Sequence, residues 1–141
     1  MEAREVDVTI KEASEELGIP ATTIRFYERK GLLLFLRRDA HGNRLFGPKD
    51  LDWLRLMGWF RATGMSVADL QKFARLAAEG ETTIPQRQQL LEKHRKELER
   101  RQEDLNRAFE AVNRKLEQYE AYRRVPSKRD VQWPGSVRLP E

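Results

Sequence analysis

The chain has 141 residues, of which 39% are hydrophobic and 35% charged, with a formal net charge of +4. That length suffices for one compact domain and an extension, and falls short of two full domains. Cysteine is absent and the two histidines, His41 and His94, are far apart, so disulfides, thiol redox sensing and a His/Cys metal site are excluded and no cofactor is expected.

Charge is unevenly placed. Residues 20–49 hold Arg25, Arg29, Lys30, Arg37, Arg38, Arg44 and Lys49 against only Glu28 and Asp39, a local net of +5. Residues 81–122 carry nine charges of each sign, and residues 123–141 carry five basic against two acidic residues. A basic segment near the N-terminus points to a polyanionic partner. No apolar run is long enough for a membrane span or a signal peptide, so no membrane partner and a cytoplasmic location are expected.

In chain order, residues 1–8 form a mixed lead-in. Thr9 and Glu12 have capping-box spacing, and Ile10, Ala13, Ser14 and Leu17 recur as one face of a short helix ended by Gly18. Pro20 with Thr22 and Thr23 restarts a helix that runs to about Lys30, where Gly31 stops it. Two short helices across a tight glycine-containing turn are the helix-turn-helix pattern. Leu34–Phe46 predicts a β-hairpin around Asp39-Ala40-His41-Gly42-Asn43, with Gly42 and Asn43 supplying any positive φ.

Gly47 and Pro48 predict the start of a third helix with Leu51, Leu54, Met57 and Phe60 inward, ending at Gly64. Ser66 and Asp69 resemble a capping box for a fourth helix through Leu70, Phe73, Ala74 and Ala77, broken at Glu79–Thr83. A long helix then runs from Ile84 or Pro85 to Tyr122. Ile84, Leu91, Leu98, Leu105, Val112 and Tyr119 stand seven residues apart, a sustained heptad row that one helix cannot bury alone. The second row is polar early (His94/Arg95, Arg101/Gln102) and apolar late (Ala108/Phe109, Leu116), which puts the tightest pairing in the second half. The dimerisation residues expected from this are Leu98, Leu105, Phe109, Val112, Leu116 and Tyr119. The domains are then residues 1–80 (head), 81–122 (coiled-coil helix) and 123–141 (irregular basic tail).

On the second helix Thr22, Arg25, Phe26 and Arg29 share one face, while Ile24 and Tyr27 share another. The first face suits a major-groove reader, because arginine forks match guanine acceptors and Thr or an aromatic ring meets a thymine methyl. The second suits packing, with the Tyr27 hydroxyl free to reach a phosphate. The competing reading pairs Arg25 and Arg29 with Glu28 or with acids of the first helix. Arg37, Arg38 and Arg44 on the hairpin are placed to grip phosphates. No nucleophile–base pair or phosphate-cradling loop occurs, so enzyme activity is not expected.

The run Thr23-Ile24-Arg25-Phe26-Tyr27-Glu28-Arg29-Lys30-Gly31-Leu32-Leu33 resembles the recognition helix of the MerR family of bacterial transcription regulators. His41-Gly42-Asn43-Arg44-Leu45-Phe46 resembles that family's wing, and Gly64-Met65-Ser66-Val67-Ala68-Asp69-Leu70 its later glycine-and-cap turn. The likeness covers about residues 8–78. It implies a mainly α fold, a winged helix-turn-helix head followed by a long helix that pairs antiparallel in a homodimer. It also implies binding of double-stranded DNA at a pseudo-palindromic promoter element, with distortion of the spacer acting on RNA polymerase indirectly. Arg25, Phe26 and Tyr27 match the family's DNA contacts, and Arg44 its wing arginine. This chain departs from the pattern at Asn43, Phe46 and Phe26, where tyrosine is usual or common, and lacks the usual proline after Gly31-Leu32-Leu33.

Zero cysteine excludes the family's thiol sensors. The 19 residues after the coil are expected to be too few for an added effector domain. Trp53 and Trp59 leave two readings open. They line an aromatic site for a small apolar or cationic effector, with Tyr119, Tyr122 or Trp133 contributing, or they pack against the partner's long helix. Two alternatives to a regulator remain at this level: an architectural, excisionase-type DNA-bending protein, and a coiled-coil adaptor whose head binds protein.

Overall fold

Local side-chain chemistry decides where each helix begins and ends. The computed structural model describes residues 7–124; the start of the lead-in and the basic tail from residue 125, with Trp133, lie outside them. Thr9 caps α1 (Ile10–Leu17) through a complete capping box, its Oγ1 accepting from the Glu12 amide at 3.2 Å while Glu12 Oε1 accepts from the Thr9 amide at 3.0 Å. Gly18 then turns the chain with φ 68°, a left-handed conformation that a side chain would oppose. Beyond that turn α2 (Ala21–Arg29) begins at Pro20 and ends at Lys30.

The wing is smaller than the sequence suggests. Its strands are β1 (Arg37–Arg38) and β2 (Arg44–Leu45), antiparallel, with Arg37 opposite Leu45 and Arg38 opposite Arg44. Leu34–Leu36, expected in the first strand, are not strand, and Phe35 sits in a left-handed conformation at φ 52°. The turn is built by Asp39 rather than by a glycine–asparagine pair. One carboxylate oxygen accepts from the His41 and Asn43 amides, both at 2.9 Å, and holds Asn43 out of the positive-φ region, so Gly42 alone supplies it. Those hydrogen bonds, with the Asn43 amide first among them, hold the Asp39 carboxyl below its ordinary value. A further ladder step joins Val8 to Phe46 through two hydrogen bonds of 2.9 Å, so the end of the lead-in extends the wing.

α3 (Pro48–Ala62) starts on Gly47, whose amide donates to Asp50 Oδ2 at 2.8 Å. α4 (Val67–Glu79) has half of the expected box, Ser66 Oγ accepting from the Asp69 amide at 3.0 Å. A 3₁₀ turn over Glu81–Thr83 leads into α5 (Ile84–Arg124), where Arg87 donates to the Gly80 carbonyl at 2.7 Å and to Thr83 Oγ1 at 3.1 Å.

The chain divides into two units, one ending at Arg95 and one starting at Lys96. The first holds the core. Ile24, Leu32, Phe46, Leu54, Met57 and Leu70 are its largest fully buried side chains. Leu51 joins them, while Phe60 is only partly buried and packs from outside. Trp53 stacks on Phe73 (centroids 5.7 Å apart) and Phe60 meets Phe73 edge-on at 5.6 Å. Leu90 and His94 of α5 also turn inward, with His94 Nε2 at 2.9 Å from Thr63 Oγ1 and its ring edge-on to Phe60. The early second-row position at His94 thus serves the head. In the second unit α5 stands with its apolar row exposed, Leu105 at 57% and Leu116 at 59%. Among the described residues no helix is long and apolar enough to cross a membrane.

Because Leu54 is wholly buried where the helices of the head meet, Leu54→Ala is expected to cost about 2–5 kcal/mol of unfolding free energy. Leu56→Ala on the outer face of the same helix should cost less than about 1 kcal/mol. Urea unfolding of the two variants measures the contrast.

Candidate nucleic-acid interface

The outer face of α2 presents three exposed side chains, Thr22, Arg25 and Arg29, beside a half-buried Phe26. These are the residues whose spacing predicted a reading face. Phe26 packs its ring against the core and carries two cations, with Arg29 Cζ at 5.8 Å and Lys30 Nζ at 5.7 Å from its centroid. It therefore props the basic side chains outward as well as offering an edge. Arg25 makes no ion pair or hydrogen bond among the described residues. Its guanidinium keeps all of its donors available.

The opposite face is packed: Ile24 is fully buried and Tyr27 is 4% exposed. Burial pushes the Tyr27 phenol above its ordinary pKa, against the pull of the nearby Arg61 charge. Its hydroxyl has no hydrogen bond among the described residues, where every buried side-chain N or O atom is satisfied. The oxygen must therefore break the surface, while the ring serves the core.

The wing arginines are not loose cations. Glu28, on α2, takes Arg38 Nη2 on one carboxylate oxygen at 2.8 Å and Arg44 Nε on the other. Arg38 also donates to the Gly42 carbonyl across the turn at 2.8 Å. Arg37 holds Asp7 with both ends of its fork, at 2.6 and 3.0 Å, and stands 3.9 Å from Asp50. That pairing, led by the hydrogen bond, keeps the Asp7 carboxyl below its ordinary value and raises Arg37. All three thus tie the wing to the head, which the sequence reading did not anticipate. Glu28, Asp7, Asp39 and Asp50 were missed as organisers. The available signal was that Glu28 and Asp39 are the only acids among the nine charges of residues 20–49. The pairing of Glu28 with Arg25 and Arg29 does not occur.

Trp53, Trp59 and Tyr119 stand in different settings. Trp53 packs inside the head, its Nε1 donating to the Leu32 carbonyl at 2.6 Å. Trp59 is 65% exposed on α3, and Tyr119 belongs to the second unit, with Lys115 Nζ 5.7 Å from its ring centroid. Among the described residues no cluster of three or more His, Asp or Glu could hold a metal ion.

Comparison with known proteins bears on this arrangement directly. Residues 8–76 match the family model for MerR HTH family regulatory proteins, and residues 51–122 match the model described as MerR, DNA binding. This chain belongs to the MerR family. It is a helix-turn-helix DNA-binding regulator of transcription. A Haemophilus influenzae protein described as an uncharacterized HTH-type transcriptional regulator is 37% identical over 126 residues, covering 89% of this chain and 93% of its own. Among solved structures, HiNmlR, a MerR family regulator lacking the sensor domain and bound to promoter DNA, matches with a TM-score of 0.78 and 37% identity, over 89% of this chain and 99% of that one. A MerR-type regulator from Listeria monocytogenes matches at 0.76 with 39% identity, over 80% and 86%. In this MerR-family chain, the mainly helical head with its small hairpin and the long final helix are those of the solved relatives.

Removing the Glu28 charge tests the clamp. Glu28→Gln is expected to lower the unfolding free energy by about 1 kcal/mol, given a pair that is largely but not wholly shielded. The loss should shrink as salt is raised, since screening weakens the same attraction in the parent. Thermal unfolding at low and high salt reads both effects.

Proposed function

We propose that this regulator binds a pseudo-palindromic promoter element as a homodimer and acts on RNA polymerase indirectly, by distorting the spacer DNA. The observation that carries the reading is the likeness to HiNmlR, seen on promoter DNA, over 89% of this chain at 37% identity. Its geometric counterpart is the exposed Thr22, Arg25 and Arg29 row on α2, next to the wing. In this reading Arg25 and Arg29 address base edges, Phe26 meets a thymine methyl or supports Arg29, and the Tyr27 hydroxyl touches a phosphate. Arg38 and Arg44 share Glu28, so they approach the backbone as a positioned pair that keeps one net positive charge. Arg37, held by Asp7, contributes mainly by fixing the wing.

The dimer rests on the second unit. Leu98, Leu105, Phe109, Val112, Leu116 and Tyr119 are between 37% and 59% exposed along α5, and their heptad spacing suits an antiparallel partner helix. The domain plan follows, with the head to about residue 80, the pairing helix over 81–122 and the basic tail beyond. A regulator working on the chromosome has its place in the cytoplasm. If it has an effector, it is a small molecule that needs no thiol.

Selection from a random DNA pool, followed by footprinting on the selected element, tests this directly. Two inverted half-sites inside a promoter spacer are expected; a single asymmetric site would refute the dimer reading. Arg25→Ala should cost about 1–3 kcal/mol on the selected element and relax its sequence preference. Glu at both 105 and 112, replacing Leu105 and Val112, should yield monomers by sedimentation with weak DNA binding. A double variant that stays dimeric would show that the helix pairs elsewhere.

A further inference from the structure

We propose that Glu28 is a positioning residue for DNA binding: it aims Arg44 at a backbone phosphate, while Arg38 braces the wing. The inference rests on the reading above, in which the wing lies against the DNA backbone, and it divides the roles of the arginine pair. Its ground is that Glu28 takes the two guanidinium groups by different atoms.

Arg44 is held side-on. Its Nε donates to Glu28 Oε1, and neither Nη1 nor Nη2 makes a hydrogen bond among the described residues. The side chain is only 23% exposed, yet no buried side-chain nitrogen among the described residues lacks a partner. Both Nη nitrogens therefore reach the surface, with their donors free on a guanidinium whose inner edge is fixed. Arg38 is spent differently. Its Nη1 donates to the Gly42 carbonyl and its Nη2 to Glu28 Oε2, both at 2.8 Å. A phosphate that takes an Nη group of Arg38 competes with one of those bonds, whereas one that takes Arg44 displaces none.

Glu28 lies in the last turn of α2, where the helix dipole opposes a carboxylate. The two arginines offset that cost, and the acid ties the wing to the helix that carries Arg25 and Arg29. The carboxylate acts on DNA in two opposed ways. Its charge repels phosphate, and its grip removes freedom that Arg44 would otherwise lose on binding. Holding one such side chain in place is worth about threefold to tenfold in affinity. At about 0.2 M salt exposed charges are largely screened, so the grip decides the sign.

Fluorescence anisotropy of the full-length protein on the duplex selected from the random pool, at about 0.2 M salt and then in a salt series, tests this. Glu28→Gln makes the chain more positive and should nevertheless bind about threefold to tenfold more weakly. With Arg44→Ala already in place, adding Glu28→Gln should cause no further loss. Arg44→Lys keeps the charge and should not restore the parent's affinity, because one ammonium serves either Glu28 or the phosphate. The salt slope should fall by about 1 in Arg44→Ala and by less in Arg38→Ala. Circular dichroism checks that each variant is folded, and Arg44→Lys, which keeps a cation for Glu28, serves if Glu28→Gln is not. Parent-like or tighter binding by Glu28→Gln, losses that multiply in the double variant, parent-like binding by Arg44→Lys, or a larger fall in slope for Arg38→Ala overturns the proposal. An Arg44→Ala variant that binds as the parent does also overturns it and leaves the homodimer reading intact. A single asymmetric site in the selected element undoes the homodimer and leaves this test in force.

Discussion

One carboxylate holds the head's working surfaces in register. Glu28 projects from α2 and accepts Arg38 from the first wing strand and Arg44 from the second. A two-residue strand pair has too few ladder bonds and too little apolar surface to persist alone. Glu28 fastens it on the α2 side, while Val8 and the Asp7–Arg37 pair fasten it on the other. The wing is thus held by charge and by one borrowed ladder step more than by its own hairpin.

This arrangement divides the basic residues by task. Glu28 offsets one of the two charges of Arg38 and Arg44, and Asp7 offsets that of Arg37, so one positive charge is left where three arginines stand. Among the described residues Arg25 keeps its charge uncompensated, and Arg29 is engaged only with the Phe26 ring. A surface built this way concentrates its attraction for a polyanion on the exposed face of α2. Arginines already held in place also lose less side-chain freedom when a phosphate arrives.

The long helix divides its residues in a similar manner. Leu90 and His94 turn into the head, where His94 meets Thr63 and Phe60, whereas the heptad row itself, from Ile84 and Leu91 onward, is exposed. One face of the early turns completes a core while the row beside it stays open. Heptad spacing alone does not separate the two, since the same spacing suits packing within a chain and between chains.

The boundaries of the helices were legible in the sequence because they rest on groups no more than three residues apart: Thr9 with Glu12, Ser66 with Asp69, Pro48 after Gly47. The division of α2 into a buried and an exposed face was legible for the same reason, as Ile24 and Tyr27 went inside while Thr22, Arg25 and Arg29 stayed out. The family was legible too, since its motifs are themselves local runs in a fixed order. What only the tertiary structure decided are the partners of charged and aromatic side chains across long separations. Glu28 finds Arg44 sixteen residues on, Asp7 finds Arg37 thirty residues on, and Trp53 finds Leu32 twenty-one residues back. Ion pairs and ring contacts have no periodicity along the chain. Only the folded positions of their helices and strands choose among several equally plausible partners.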